Sequence, residues 1–280
     1  MKISAADVKK LRDQTGAGMM DCKKALTEAE GDYEKAIEIL RKKGQKLSAK
    51  RAERDAKEGV VMALTSANRN NGVLIRLSCE TDFVAKNEDF VNLAKQVAEI
   101  ALKQLPDSLE ALLELPFEGD LSIGAKITEQ IGVIGEKVEV NRYEKVVTAA
   151  GEGQVLPYIH MGYRAGVLVA LNLEGPQFME AGKNAAMQVA AMRPIALDKD
   201  GVDSSVIEKE IEIGKEQARQ QGKPEAMLEK IAMGKLNKFY KENTLLNQQY
   251  VKDSSMNVDK YLKSLDGKLT VTEFKHVELG

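Results

Sequence analysis

Apolar positions along the first 45 residues recur three and four apart in three short runs separated by small and acidic residues, the spacing of helices that each bury one face. Ser4 stands ready to cap the first run with Asp7 three positions on; Val8 and Leu11 mark its stripe, and Thr15-Gly16 supplies a stop. After the "GAG" turn, Met19, Met20, Cys22, Ala25 and Leu26 form a second apolar face, and Asp32 in "EGD" is the N-cap of a third run. That run, Tyr33, Ala36, Ile37 and Leu40, is expected to end near Gly44. The next stretch, "QKLSAKRAERDAKEG", is charged and carries no sustained stripe, so it reads as a linker or an exposed helix.

The period then drops to two, and the pattern repeats. "EGVVMALTSANRNNGVLIRLSCE" (58–80) aligns without a gap on "EGQVLPYIHMGYRAGVLVALNLE" (152–174), matching Glu58 with Glu152, Gly59 with Gly153, Val61 with Val155 and "GVL" with "GVL". Each copy alternates β-rich runs around a turn, the pattern of a hairpin, and each is followed by a helical pattern. In the first, Asn87 caps a helix with Phe90, Ala94, Val97 and Ala101 on one face; in the second, Ala185, Val189 and Met192 share a face. A strand from about Val138 to Val147 gives the first copy a third strand.

Beyond Pro194 two helical stretches are split by "GKP", with Gly222 as a stop and Pro224 as a first helical residue. Val206, Ile207, Ile211 and Ala218 on one arm can face Met227, Leu228, Ile231, Leu236 and Phe239 on the other as an antiparallel hairpin. The alternating "LTVTEFKHVE" then returns as a strand to the second copy's sheet. The fold class is α+β, with an N-terminal three-helix module that resembles a ubiquitin-associated-type (UBA-like) domain, a duplicated core with antiparallel sheets, and a coiled-coil helical hairpin.

Charge removes several function classes. Lysine and arginine number 41 against 43 acidic residues, so the net charge of -2 offers no general field for nucleic acid or an anionic membrane, and a partner must be recognised locally. No stretch reaches the length of a membrane span, and the start lacks the apolar core of a signal peptide, so a cytoplasmic protein is expected. Cys22 and Cys79 have no metal-type neighbours and read as buried free thiols.

Catalytic signals are sparse: two histidines, no GxSxG, HExxH or Walker sequence, and a "GAG" that follows a helix where a dinucleotide loop follows a strand. His276 lies in the last strand pattern and reads as structural. His160, in the turn "YIHMGYRAG", is either a solvated turn residue or a partner contact. In "CETDFVAKNEDF" Phe83 either packs under the sheet while Asp82 caps the next helix, or stands out as a wedge. A wedge ring buried in a partner's pocket would contribute roughly 2–3 kcal/mol.

"LRDQTGAGMMDCKKALTEAEGDYEKAIEILRKKG" and "CETDFVAKNEDF", with "IGEKVEVNR" and "HMGYRAGVLVAL", closely resemble the bacterial elongation factor Ts family. Members are nucleotide-exchange factors for the translational GTPase elongation factor Tu. The resemblance, from residue 3 to about 276, implies the following division: a UBA-like module at 1–45, a linker at 46–57, core subdomains at 58–140 and 141–200, a coiled-coil hairpin at 201–243, and a return segment at 244–280.

It further implies that Thr81, Asp82, Phe83 and Val84 intrude near the GTPase's Mg²⁺ and switch helices, and that His160 helps to shift its phosphate-binding loop. Arg12, Met19 and Met20 are implied contacts on the nucleotide domain, with Ile134 and Gly135 as a weaker contact. The protein would act by binding, not as an enzyme, with no cofactor, metal or small molecule of its own and no direct contact to nucleic acid or membrane. Members with a longer tail end in a further helix that touches the GTPase; in a chain ending at Gly280 that contact is expected to be absent or replaced.

Overall fold

Three helices, the first and third capped by side chains, open the computed structural model, which describes residues 3–280. At the head of α1 (Ala5–Thr15) the Ser4 hydroxyl accepts the Asp7 N–H and the Asp7 carboxylate accepts the Ser4 N–H at 3.0 Å, a reciprocal cap. Gly16 ends the helix at φ 69°. α2 (Met19–Glu28) and α3 (Tyr33–Arg51), the latter capped by Asp32, complete a small core of Val8, Leu11, Cys22, Ala25, Leu26 and Ala36. Met19 and Met20, expected on the inner face, are instead 57% and 63% exposed. Cys22, Ala25 and Leu26 fill what so small a core can hold, and the methionines are left at its rim in the first turn of α2.

β1 (Glu58–Thr65) and β2 (Asn71–Cys79) form the first hairpin, followed by α4 (Asp82–Ala85) and α5 (Glu88–Gln104). Asn87 caps α5, whose Phe90, Ala94, Val97 and Ala101 are buried against the sheet. α6 (Leu109–Glu114), the ribbon β3 (Pro116–Glu118) and β4 (Leu121–Ser122), and α7 (Ile123–Ile134) lead to β5 (Val138–Val147), which closes an antiparallel sheet of order β1-β2-β5.

The second hairpin, β6 (Gln154–Ile159) and β7 (Ala165–Leu171), is covered by α8 (Met179–Met192), whose Ala185 and Val189 are buried. Met192 is exposed, because the helix stops there on the left-handed Arg193. α9 (Ser204–Gln220) and α10 (Glu225–Asn243) form the antiparallel arms, then β8 (Gln249–Tyr250), β9 (Asp253–Asn257), α11 (Val258–Leu265) and β10 (Val271–Glu278) follow. β10 completes a second antiparallel sheet of order β10-β7-β6, so the fold is α+β. The seam between the arms is narrower than its apolar pattern implied. Gly214 and Ala218 meet Leu228, Ala232 and Leu236, Met227 is exposed, and Pro224 sits at the N-cap, one place before its expected position. Among the described residues no helix is long and apolar enough to cross a membrane.

The repeat is visible atom by atom. Gly59 and Gly153 adopt φ 148° and 144°, and a Cβ on either would lie 2.2 and 2.0 Å from the carbonyl oxygens of Leu77 and Leu171, themselves equivalent positions. The two sheets pack face to face through Val61, Ala63, Leu74, Val155, Leu168 and Ala170. A Cβ on Gly72 would meet Val155 Cγ1 at 2.7 Å, and one on Gly166 would meet Val61 Cγ1 at 2.8 Å. Each half presents its glycine to the other half's valine.

α3 corrects the reading of Gly44 as a stop. The helix runs unbroken to Arg51, and Gly44 is where it crosses α7: a Cβ there would lie 2.7 Å from the Thr128 carbonyl oxygen, and one on Gly132 would lie 3.1 Å from the Gly44 Cα. The residue weakens the helix locally but admits close backbone contact, and tertiary packing prevails over propensity.

Gly44→Ala is accordingly expected to lower unfolding free energy by about 1–3 kcal/mol, since Thr128 backbone must move. Gly234→Ala, in the interior of α10 with nothing within 4 Å of its Cβ position, is expected to raise it by up to about 1 kcal/mol. Urea unfolding of the two variants checks the contrast, and equal signs would show that Gly44 is a helix defect and not a contact.

Candidate functional site

The β2–β5 ladder ends at the pair Cys79 and Val138. One step further two carboxylates take over from backbone acceptors. Glu136 Oε2 accepts the N–H of Glu80 at 3.1 Å and of Thr81 at 3.0 Å, while its Oε1 accepts the Thr81 hydroxyl at 2.7 Å. In return Glu80 Oε1 accepts the Lys137 N–H at 2.6 Å. The same carboxylate is met by Arg51 Nη1 at 2.6 Å and Arg54 Nη1 at 3.4 Å, so the last residue of α3 is fastened to the first residue after β2. Burial acts to raise the Glu80 carboxyl, but the Lys137 amide and the Arg51 guanidinium outweigh it and hold it below the ordinary value.

Cys79 is buried beneath this clasp and its thiol donates to the Thr81 carbonyl at 3.2 Å. Burial, reinforced by the charge of Glu136, pushes the thiol up to about 12, so it stays neutral and structural.

From the clasp the chain turns into α4, with the Thr81 hydroxyl accepting the Val84 N–H at 3.4 Å. Val84 and Ala85 pack inward against the first core, and Phe83 is 84% exposed. Of the two readings open for Phe83, packing under the sheet is ruled out. Asp82 caps nothing: Thr81 caps α4, Asn87 caps α5, and the Asp82 carboxylate pairs with Lys86 Nζ at 2.6 Å. The hydrogen bond and charge of Lys86 hold that carboxyl below its usual value. An exposed ring thus stands on one turn whose backbone is tied down at its base.

His160 closes β6, its N–H donating to the Ala165 carbonyl at 2.8 Å and its ring Nδ1 lying 3.2 Å from the Tyr158 hydroxyl. The chain then passes through Gly162 at φ 75° and Tyr163 at φ 58°, a left-handed pair that throws Met161 outward to 86% exposure. Arg164 Nη1 reaches Glu58 Oε2 at 3.1 Å. Glu58 pairs with Cys79 across the first sheet, so the His160 turn is tied to the end from which the Phe83 turn leaves.

Ile134 is half-buried against the first core, and Gly135, at φ 80°, ends α7 directly before Glu136. Thr81–Val84, Ile134, Gly135 and His160 therefore converge on one end of the paired sheets. Arg12, Met19 and Met20 lie apart in sequence, exposed on α1 and α2, and the Gly16 turn between them faces Val133 of α7, where a Cβ on Gly16 would lie 3.9 Å from Val133 Cγ1. His276 lies in β10, where burial lowers its pKa, in keeping with its structural reading.

Glu80, Glu136, Arg51 and Met161 were missed as parts of this site. Thr81 and Glu136 are 55 residues apart, so only the lone carboxylates at the two strand ends, in "CET" and "GEK", hinted at the clasp.

The family model described as "Elongation factor TS" matches residues 80–280. Proteins named elongation factor Ts from Amoebophilus asiaticus and Christiangramia forsetii are each 52% identical, over 100% of this chain and 100% and 99% of theirs. The protein of that name from Cytophaga hutchinsonii is 54% identical over 99% of both chains. The family model begins at the clasp residue Glu80, and the full-length relatives extend the similarity across α1 to α3.

Because Glu80 has a lowered folded pKa, its contribution to stability is present above its ordinary value of 4.5 and is lost as pH falls through the folded value. Wild type and Glu80→Gln are expected to differ most near neutrality and to converge in urea midpoint as pH falls below 4.5 and through the lowered folded value. Parallel pH curves would remove the assigned role of the Glu80 charge.

Proposed function

The chain belongs to the elongation factor Ts family, and from this premise we propose that it binds the GDP form of elongation factor Tu and promotes GDP release during translation elongation. The observation that carries the reading is Phe83: a bare aromatic ring on a turn fixed from below by charged hydrogen bonds. A ring left in water at that cost is accounted for by burial elsewhere, in a partner.

The proposed mechanism needs no covalent chemistry. A GTPase holds its nucleotide by phosphate-loop contacts and by Mg²⁺, which compensates phosphate charge. Thr81, Asp82, Phe83 and Val84 enter beside that metal and its switch helices, displacing the ion. His160 perturbs the phosphate-binding loop from the neighbouring turn, and Ile134 and Gly135 support the contact. Arg12, Met19 and Met20 on the UBA-like module dock on the nucleotide domain, and the exposure of both methionines favours this over a core role.

The division into a UBA-like module, two core subdomains and a coiled-coil hairpin belongs to the same reading, with the module joined to the first subdomain where α3 crosses α7. Linkage makes the exchange reversible: a factor that weakens GDP binding by some ratio is itself weakened by GDP in the same ratio, so incoming GTP expels it.

Stopped-flow release of fluorescent GDP from elongation factor Tu tests the proposal. Wild type is expected to accelerate release strongly, and Phe83→Ala to lose about thirtyfold or more of that acceleration, the equivalent of the roughly 2–3 kcal/mol from burying one ring. Unchanged acceleration in Phe83→Ala would leave exchange standing but dismiss the wedge; no acceleration by wild type would dismiss exchange itself.

A further inference from the structure

The exchange-factor reading leaves open what keeps Phe83 pointing outward, since α4 is a single turn and a helix of four residues has no stability of its own. Its carboxyl end is secured by Val84 and Ala85, which pack against the first core. Its amino end is held by hydrogen bonds, one of them from the Cys79 thiol to the Thr81 carbonyl. There the ladder has already ended, and the Glu80 and Thr81 amides, together with the Thr81 hydroxyl, all converge on one carboxylate, that of Glu136. The same hydroxyl caps α4 through the Val84 N–H, so Glu136 orients the cap as well as the chain leading into it.

Resting on that reading, we propose that Glu136 is the positioning residue of exchange: its carboxylate latches the Glu80–Thr81 peptide and thereby presets Phe83 for entry into the GTPase. Glu136 reaches no partner in this role. It acts through Phe83, and its removal costs the maximal effect of the bound factor more than it costs binding. The reciprocal bond from Lys137 to Glu80 and the Arg51 contact hold the other side of the latch, so the loss of Glu136 frees the Phe83 turn while Glu80 stays anchored.

A double-mutant cycle separates this from general destabilisation. GDP release is followed over a range of factor concentrations for wild type, Glu136→Ala, Phe83→Ala and the double variant. Glu136→Ala is expected to lower the maximal release rate by about tenfold or more, with a smaller change, within about threefold, in the half-saturating concentration. In the Phe83→Ala background it is expected to have no further effect; losses that multiply would overturn the proposal, because Glu136 would then act independently of Phe83.

Should Glu136→Ala fail to fold, Glu136→Gln keeps one oxygen for the two amides and gives up the charge, and it is read in the same cycle with a smaller loss expected. Amide hydrogen exchange at Glu80 and Thr81 in the free protein provides a readout without the GTPase. Protection there is expected to fall by about tenfold or more in the Glu136 variants, and unchanged protection would overturn the latch. Failure of wild type to release GDP would instead count against exchange, while amide exchange still decides the latch.

Discussion

The contact on which the rest of the molecule depends is the face-to-face packing of two three-stranded sheets through a pair of crossed glycine–valine contacts. Gly72 admits Val155 and Gly166 admits Val61, and no side chain larger than hydrogen fits at either glycine without moving its neighbour. That close approach brings the open end of the first hairpin beside the turn of the second. The open end leads into the Phe83 turn, the hairpin turn is that of His160, and the Arg164–Glu58 ion pair bridges them. A surface pair of this kind adds little to stability, but it fixes the register of one turn against the other. The site is therefore a product of sheet packing, with the loops as its termini.

A second contact sets what the first three helices can reach. Because Gly44 and Gly132 let α3 and α7 touch backbone to backbone, α3 continues as one helix from the small N-terminal core to Arg51 and the Glu80 carboxylate. α7, the helix it crosses, ends at Gly135, next to Glu136. Both helices that meet at the glycine crossing thus end on the clasp that carries Phe83, so the crossing and the half-buried Arg51–Glu80 pair link the first three helices to that ring.

Much of this was legible in the sequence wherever a local rule and the tertiary structure agree. The caps at Ser4, Asp32 and Asn87, the Gly16 stop, both hairpins, the strand at Val138 and the returning strand at its end all rest on short-range chemistry, and the gapless repeat disclosed the two sheets. What misled was a residue with two uses. Gly44 is as good a stop as a packing notch by composition, and only α7, some ninety residues on, decides between them. Met19 and Met20 keep a helical period with Cys22, but period does not say how far a small core extends. For the site, the quoted motif marked Phe83, whereas the choice between core and surface waited on Val84 and Ala85 taking the inward places. The Glu136 clasp was invisible because hydrogen bonds between distant segments leave no periodic trace.

The crossed glycine–valine contacts have the form of an isologous interface, the kind two identical subunits build across a twofold axis, here contained within one chain. In a symmetric dimer every substitution appears twice, so a protruding aromatic on one surface would be accompanied by its copy on the other. Covalent linkage of the halves lifts that restriction: the first carries Phe83 on its turn, the second carries His160 on its hairpin and the long antiparallel arms after it. Two copies of one scaffold can then present different surfaces to a single asymmetric partner while sharing one symmetric core.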